Sequence, residues 1–175
     1  MTVSAWVVVP FGPVPFTLQT LAVALVLLTF PPKQALISLF GYLLLGAAGV
    51  PVFSGMKGGL AAFFGPTGGF LFGYALGALL VTGLLKAWPE PQGKKAQFAR
   101  LVAAGALLMA ASYALGWAQL MAVADLSPAA AFVAGVAPFV LVDVVKVAAA
   151  ARAAQSIRRA TPWFRPGSSR KQPKP

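Results

Sequence analysis

The stretch Phe139-Val-Leu-Val-Asp143-Val-Val-Lys146-Val-Ala-Ala-Ala150 decides how the rest of the chain is read. It is apolar enough to belong to a membrane helix, yet it holds one acid and one base. Each ionised group at the centre of a bilayer costs roughly 2.5–3.5 kcal/mol on insertion scales. A lipid-facing surface would not carry both. Residues three apart share a helix face, so Asp143 and Lys146 are predicted to point the same way. They can offset each other's charge and still offer one acceptor and one donor. Two readings follow: a structural ion pair that pins two helices, or a binding site for a polar solute between helices. Intramembrane charges mark function by default, which favours the second.

Composition supports the membrane reading. The chain has 175 residues, of which 59% are hydrophobic and 10% charged, and its mean hydropathy is +0.81. A water-soluble domain of this size needs far less apolar surface. Five or six helices of about 20 residues would use nearly the whole length and leave no room for a soluble catalytic domain. The net charge of +11 invites a nucleic-acid reading. The basic residues sit at helix ends and in the tail, which argues against it. There is no cysteine and no histidine, and there are three acidic residues. That set argues against metal clusters, nucleophilic triads and an enzyme in general.

Outward from the charged stretch, the expected last helix runs from about residue 128 to 159, with Pro138 kinking it just before Asp143. Residues 1–160 are read as one transmembrane helical domain and 161–175 as a basic, disordered cytoplasmic tail. Met1 to Phe11 is apolar but too short to span a bilayer. It is expected to be the remnant of a first helix, shortened or cut by a misplaced start codon. Further spans are predicted over about 16–30, 34–50, 67–88 and 98–122. Between the second and third lies a Gly- and Pro-rich loop, Pro51 to Pro66. It carries Phe53, Leu60, Phe63 and Phe64, so it is expected to pack down on the bundle, as lids do. Gly65, Gly69, Gly73 and Gly77 recur every four residues, as do Ala106, Ala110, Ala114, Ala118 and Ala122. Both stripes are read as internal packing seams, with docking of another membrane protein as the alternative for the alanines.

Charge sets an expected orientation. Lys33, then Lys86, Lys94, Lys95 and Arg100, then the basic residues from Arg152 onward fall on alternate connections. The other connections carry Lys57 and Asp125. By the positive-inside rule the C-terminus is cytoplasmic and the Gly-rich loop faces outward. Asp143 then lies about 20 Å along its helix from the outer entry at Pro128, near mid-membrane.

Three stretches resemble one family, BioY. Pro13-Val-Pro-Phe-Thr-Leu-Gln-Thr20 resembles its PVPFTLQT signature. Gly49-Val-Pro-Val-Phe-Ser-Gly55, with Gly65-Pro-Thr-Gly-Gly-Phe-Leu-Phe-Gly73, resembles a second motif, and Pro138-Phe-Val-Leu-Val-Asp143-Val-Val-Lys146 a third. They fall in the family's order. The resemblance implies an all-α integral membrane protein: the six-helix bundle of a biotin-binding S component of an energy-coupling-factor (ECF) transporter, with its first helix short or truncated. It implies biotin as the transported ligand, with no cofactor. The implied partners are the lipid bilayer, a transmembrane coupling protein and two cytoplasmic ATPases, and no nucleic acid; some members are reported to work without that module. The implied location is the plasma membrane.

By motif match, Asp143 and Lys146 should contact the ligand. Lys146 suits the biotin carboxylate and Asp143 the ureido N–H groups, with the reverse or a shared arrangement left open. Lys57 is a second candidate for the carboxylate. Gln19 is a candidate for the ureido group or for a helix-to-helix hydrogen bond. Phe53, Phe70, Tyr74, Tyr113 and Trp117 are candidate pocket walls. The chain departs from the family in Leu141-Val142, where Pro-Gly is common, and in Phe70, where Tyr is usual. It has no phosphate-binding loop, since Gly55-Met-Lys-Gly-Gly lacks the spacing, so energy must come from a partner or transport is only facilitated. The alternatives are an S component for another vitamin and a membrane scaffold in which the Asp–Lys pair is structural.

Overall fold

A computed structural model describes residues 1–10 and 14–161. The chain is mostly helical. Helix α1 (Thr2–Trp6) is five residues long and is followed by β1 (Val8–Val9), which pairs antiparallel with β2 (Phe16–Thr17). Helices α2 (Gln19–Thr29), α3 (Pro32–Ala47), a 3₁₀ turn at Ser54–Met56 and α4 (Ala61–Phe64) come next. Then follow α5 (Gly68–Ala87), α6 (Lys94–Ala124), α7 (Pro128–Gly135) and α8 (Ala137–Ala160). Two of these, α5 and α6, are long and apolar enough to cross a membrane, and α7 with α8 makes a third if taken as one bent span. The basic tail expected from residue 161 onward lies outside the described residues beyond Thr161.

Local sequence sets the helix ends. Pro31 and Pro32 close α2 and open α3, because a proline in a first turn loses no intrahelical donor. Gly93, with φ +106°, leads into α6, and Asp125 ends it in the left-handed region at φ 51°. Ser127 caps α7 by accepting from the Ala130 N–H at 3.3 Å. The span expected over 16–30 is shorter than predicted, because Phe16 and Thr17 are strand. At 1.5 Å per residue the 11 residues of α2 cover about 16 Å, half a bilayer core.

The last helix breaks earlier than expected. The break falls at Val136, between α7 and α8, with a bend of 40°. Pro138 sits in the first turn of α8, where its missing N–H costs no helix bond, so it begins the second helix instead of kinking one.

The two small-residue stripes part company. Gly69, Gly73 and Gly77 are buried against α6. A Cβ on Gly69 would meet the Leu115 carbonyl, one on Gly73 the backbone of Ser112, and one on Gly77 the Leu108 side chain. This close approach makes α5 and α6 the most extensively paired helices in the bundle. Gly65 lies outside the seam. The alanine stripe does the opposite: Ala106, Ala110, Ala114, Ala118 and Ala122 are all exposed. α6 turns Leu108, Ser112 and Leu115 to the glycines of α5, and Leu101 and Ala104 to the core, so the alanines are what remains.

The Gly-rich loop packs down in part. Phe53 is 3% exposed, and its ring stands edge-on to Tyr42 and to Phe63, with centroids 5.5 Å apart in both cases. The Gly59 N–H donates to the Gly46 carbonyl at 2.7 Å. Gln119 on α6 donates to the carbonyls of Phe63 and Gly65, both at 2.7 Å. Leu60 and Phe64, expected to pack, are exposed. Trp6 donates its indole N–H to the Pro51 carbonyl at 2.8 Å, which ties the N-terminal segment to the loop.

Candidate binding site

Beneath the loop is a cavity of about 440 Å³, within the size range of small-molecule pockets. Four regions build it: the β2–α2 segment, the loop, one face of α5–α6, and the start of α8. Asp143 and Lys146 lie one helical turn apart on α8 and both line it. Their side chains are 7% exposed and joined by a 2.7 Å ion pair between Lys146 Nζ and Asp143 Oδ1.

The pair is embedded in a larger network. Lys146 Nζ also donates to the Thr17 carbonyl at 2.7 Å and stands 3.9 Å from the centroid of the Phe16 ring. Tyr113 on α6 donates its hydroxyl to Asp143 Oδ2 at 2.6 Å. Each carboxylate oxygen thus has one donor. A carboxylate offers about four lone-pair sites, so acceptor capacity is left for a ligand. The Phe16 ring stacks on Phe139 at 6.4 Å, which holds β2 against the first turn of α8.

A second set of polar groups adjoins the cavity. Gln19 Nε2 donates to the Tyr42 hydroxyl at 3.0 Å, and that hydroxyl donates to the Val52 carbonyl at 2.8 Å. The helix-to-helix reading of Gln19 is therefore met, although the residue still lines the cavity. Thr20 Oγ1 and Tyr74 Oη share a 3.2 Å hydrogen bond.

All seven residues singled out as a substrate site, Asp143, Lys146, Gln19, Lys57, Phe53, Tyr74 and Tyr113, line this one cavity, and Phe70 joins them. Lys57 is exposed on the loop, whereas the Asp143–Lys146 pair is buried. Trp117 is not in the lining; its indole N–H donates to the Pro128 carbonyl at 2.9 Å and its ring meets Phe132 edge-on. Thr17, Thr20, Ser112 and Met109 line the cavity and were not anticipated. Thr17 and Thr20 lie inside the first motif, flanking Gln19, and that was the available signal. Ser112 and Met109 carried none, because small and thioether side chains in a long apolar helix look like core.

The BioY family model matches residues 1–163. The chain is 40% identical over 160 residues to the biotin transporter BioY of Thermotoga maritima, covering 91% of this chain and 89% of that one. It is 36% identical over 157 residues to the probable biotin transporter BioY of Pyrococcus horikoshii, covering 90% and 88%. The fold is similar to that of a crystal structure of the S-component for biotin from an ECF-type ABC transporter. The TM-score is 0.80 at 22% identity, over 94% of this chain and 89% of that one. Three motifs in order, a shared fold and this coverage place the chain in the BioY family.

Proposed function

We propose that the chain is the substrate-binding membrane subunit of a biotin uptake transporter, capturing biotin in the cavity beneath the loop. The observation that carries this reading is the buried Asp143–Lys146 pair opening on an aromatic-walled cavity. Apolar walls suit the thiophane ring, and a paired acceptor and donor suit the ureido group.

The geometry favours one pose. Biotin's ureido group and carboxylate are separated by its ring system and a four-carbon chain, more than a single ion pair spans. Asp143 and Lys146 in contact at 2.7 Å therefore serve the same pole. Asp143 accepts a ureido N–H, and Lys146 donates to the ureido oxygen. The carboxylate then points toward Lys57, the other basic residue in the lining. This supports the shared arrangement over a division of the two poles between Asp143 and Lys146.

Import in this reading is driven by a transmembrane coupling protein with two cytoplasmic ATPases. The chain lies in the plasma membrane as a multi-pass protein, with its C-terminus cytoplasmic and its loop outward. Helices α2, α3, α5, α6 and the bent α7–α8 stand for five members of a six-helix bundle, and α1 for a short first one. The alternation of basic residues supports that orientation.

The test is biotin binding by the detergent-purified chain, wild type beside Lys146→Ala and Asp143→Ala, with thermal unfolding as a control for folding. Binding lost in both folded variants supports the reading. Undiminished affinity in both sinks it. Competition by thiamine or riboflavin would point to another vitamin.

A further inference from the structure

The end of the bundle where α8 finishes is built around two buried guanidinium groups. Arg100, in the second turn of α6, is 2% exposed, and Arg158, in the last turn of α8, is 6% exposed. Arg100 Nη2 donates to the carbonyls of Leu85 and Trp88 at the close of α5, both at 2.6 Å. Arg158 Nε donates to the Thr29 carbonyl at the close of α2, at 3.3 Å. Gln155 Nε2 joins α8 to α6 through the Lys94 carbonyl at 2.7 Å and Gln97 Oε1 at 3.1 Å. Helix C-termini leave carbonyls without intrahelical partners, and these side chains take up several of them.

That structural duty leaves donors over. Arg100 Nε and Nη1 are buried without a hydrogen-bond partner, and so is Thr29 Oγ1. A buried polar group in this state normally answers to a water or an ion. The charges point to an ion. Gln155, three positions before Arg158 on α8, bonds to Gln97, three positions before Arg100 on α6, so both guanidinium groups belong to this one junction of the two helices. Glu90, between the end of α5 and the start of α6, is exposed and accepts from Gln97. Among the described residues neither guanidinium is in ion-pair contact with a carboxylate. Two like charges buried together without a counter-ion are costly.

We infer that this end of the bundle is a binding site for a phosphate-type oxyanion, held by Arg100 and Arg158 with the Thr29 hydroxyl. The guanidinium fork matches tetrahedral oxyanions and binds them through paired hydrogen bonds. The anion is either the phosphodiester of a lipid headgroup or free inorganic phosphate; the chemistry at the site is the same. The site is distinct from the cavity. Lys146 and Arg158 are twelve positions apart on α8, about 18 Å along the helix.

The test uses the full chain, stripped of lipid in a non-ionic detergent. Its melting temperature is followed while phosphatidylglycerol, phosphatidylcholine or inorganic phosphate is titrated in. Phosphatidylglycerol is expected to raise it saturably by several degrees, with phosphatidylcholine inert. A matching rise with inorganic phosphate identifies the free anion as sufficient; its absence identifies the lipid. Arg100→Gln and Arg158→Gln should each weaken the half-saturating concentration at least tenfold, while Lys86→Gln at the exposed end of α5 should not. Should the arginine variants fail to fold, Thr29→Val removes one donor and is expected to weaken the same midpoint severalfold. No saturable shift in the wild type with any anion overturns the proposal, as does an equal shift with phosphatidylcholine. A midpoint unchanged across every folded variant at Arg100, Arg158 and Thr29 overturns it too.

Discussion

The ammonium of Lys146 donates to the backbone carbonyl of Thr17, 129 positions earlier in the chain, at 2.7 Å. The last helix therefore holds the first motif directly. Thr17 ends β2, and α2 begins two residues later with Gln19, so one contact sets both the pair on α8 and the segment that faces it. Loss of Lys146 should loosen the β2–α2 segment as well as remove a ligand contact. Hydrogen exchange of the amides near Thr17 should rise in Lys146→Met, and unchanged protection would show that the segment holds itself.

Removing one partner of the buried pair should cost more than removing both. Breaking a buried ion pair typically costs about 3–5 kcal/mol because it leaves an uncompensated charge, whereas apolar replacement of the whole pair is often close to neutral. Asp143→Ala should lower the melting temperature more than the double variant Asp143→Leu/Lys146→Met. Both should lose biotin binding. A double variant less stable than the single would show that the pair contributes net stability.

The Tyr113 hydroxyl gives Asp143 Oδ2 its donor at 2.6 Å. A hydrogen bond to a charged group is worth about 1.5–3 kcal/mol, so Tyr113→Phe, which frees the carboxylate to turn, should weaken biotin binding roughly 10- to 100-fold. The phenyl ring stays, so the wall is preserved. Isothermal titration against the wild type reads the difference, and equal affinities would leave Tyr113 a wall residue alone.

Lys57 separates the two ends of the ligand. In the proposed pose Lys57→Ala should weaken biotin severalfold while leaving biotinamide, which lacks the carboxylate charge, nearly unchanged. An equal loss for both compounds would place Lys57 outside the carboxylate site.

The α5–α6 seam should tolerate no side chain where the backbones meet. Gly69→Ala puts a methyl group against the Leu115 carbonyl, and overpacking of this kind costs about 1–3 kcal/mol. Gly83 on the same helix has nothing within 4 Å of an added Cβ, and Gly83→Ala should be neutral or stabilising by up to about 1 kcal/mol. Thermal unfolding in detergent distinguishes them.

Sequence by itself determined the family, and it singled out the charged pair that the fold brings to a cavity. An acid and a base in an apolar run carry a cost that only pairing or a ligand offsets, so Asp143 and Lys146 are legible without coordinates. The four-residue spacing of Gly69, Gly73 and Gly77 was legible as a candidate seam, on the same footing as the alanine stripe. The aromatics were legible as a set but not singly: Tyr74 and Tyr113 enter the cavity, and Trp117 does not. Tertiary structure alone decided which stripe faces inward. Glycine and alanine stripes have the same period, and only the partner helix selects one face of α6. It also decided that the helix breaks at Val136, because Pro138 fits a first turn as readily as a kink. The contacts from Lys146 to Thr17 and from Tyr113 to Asp143 join residues 129 and 30 positions apart. Local sequence carries no term for such distances; they exist because packing of α8 against α2 and α6 brings those atoms within hydrogen-bond reach.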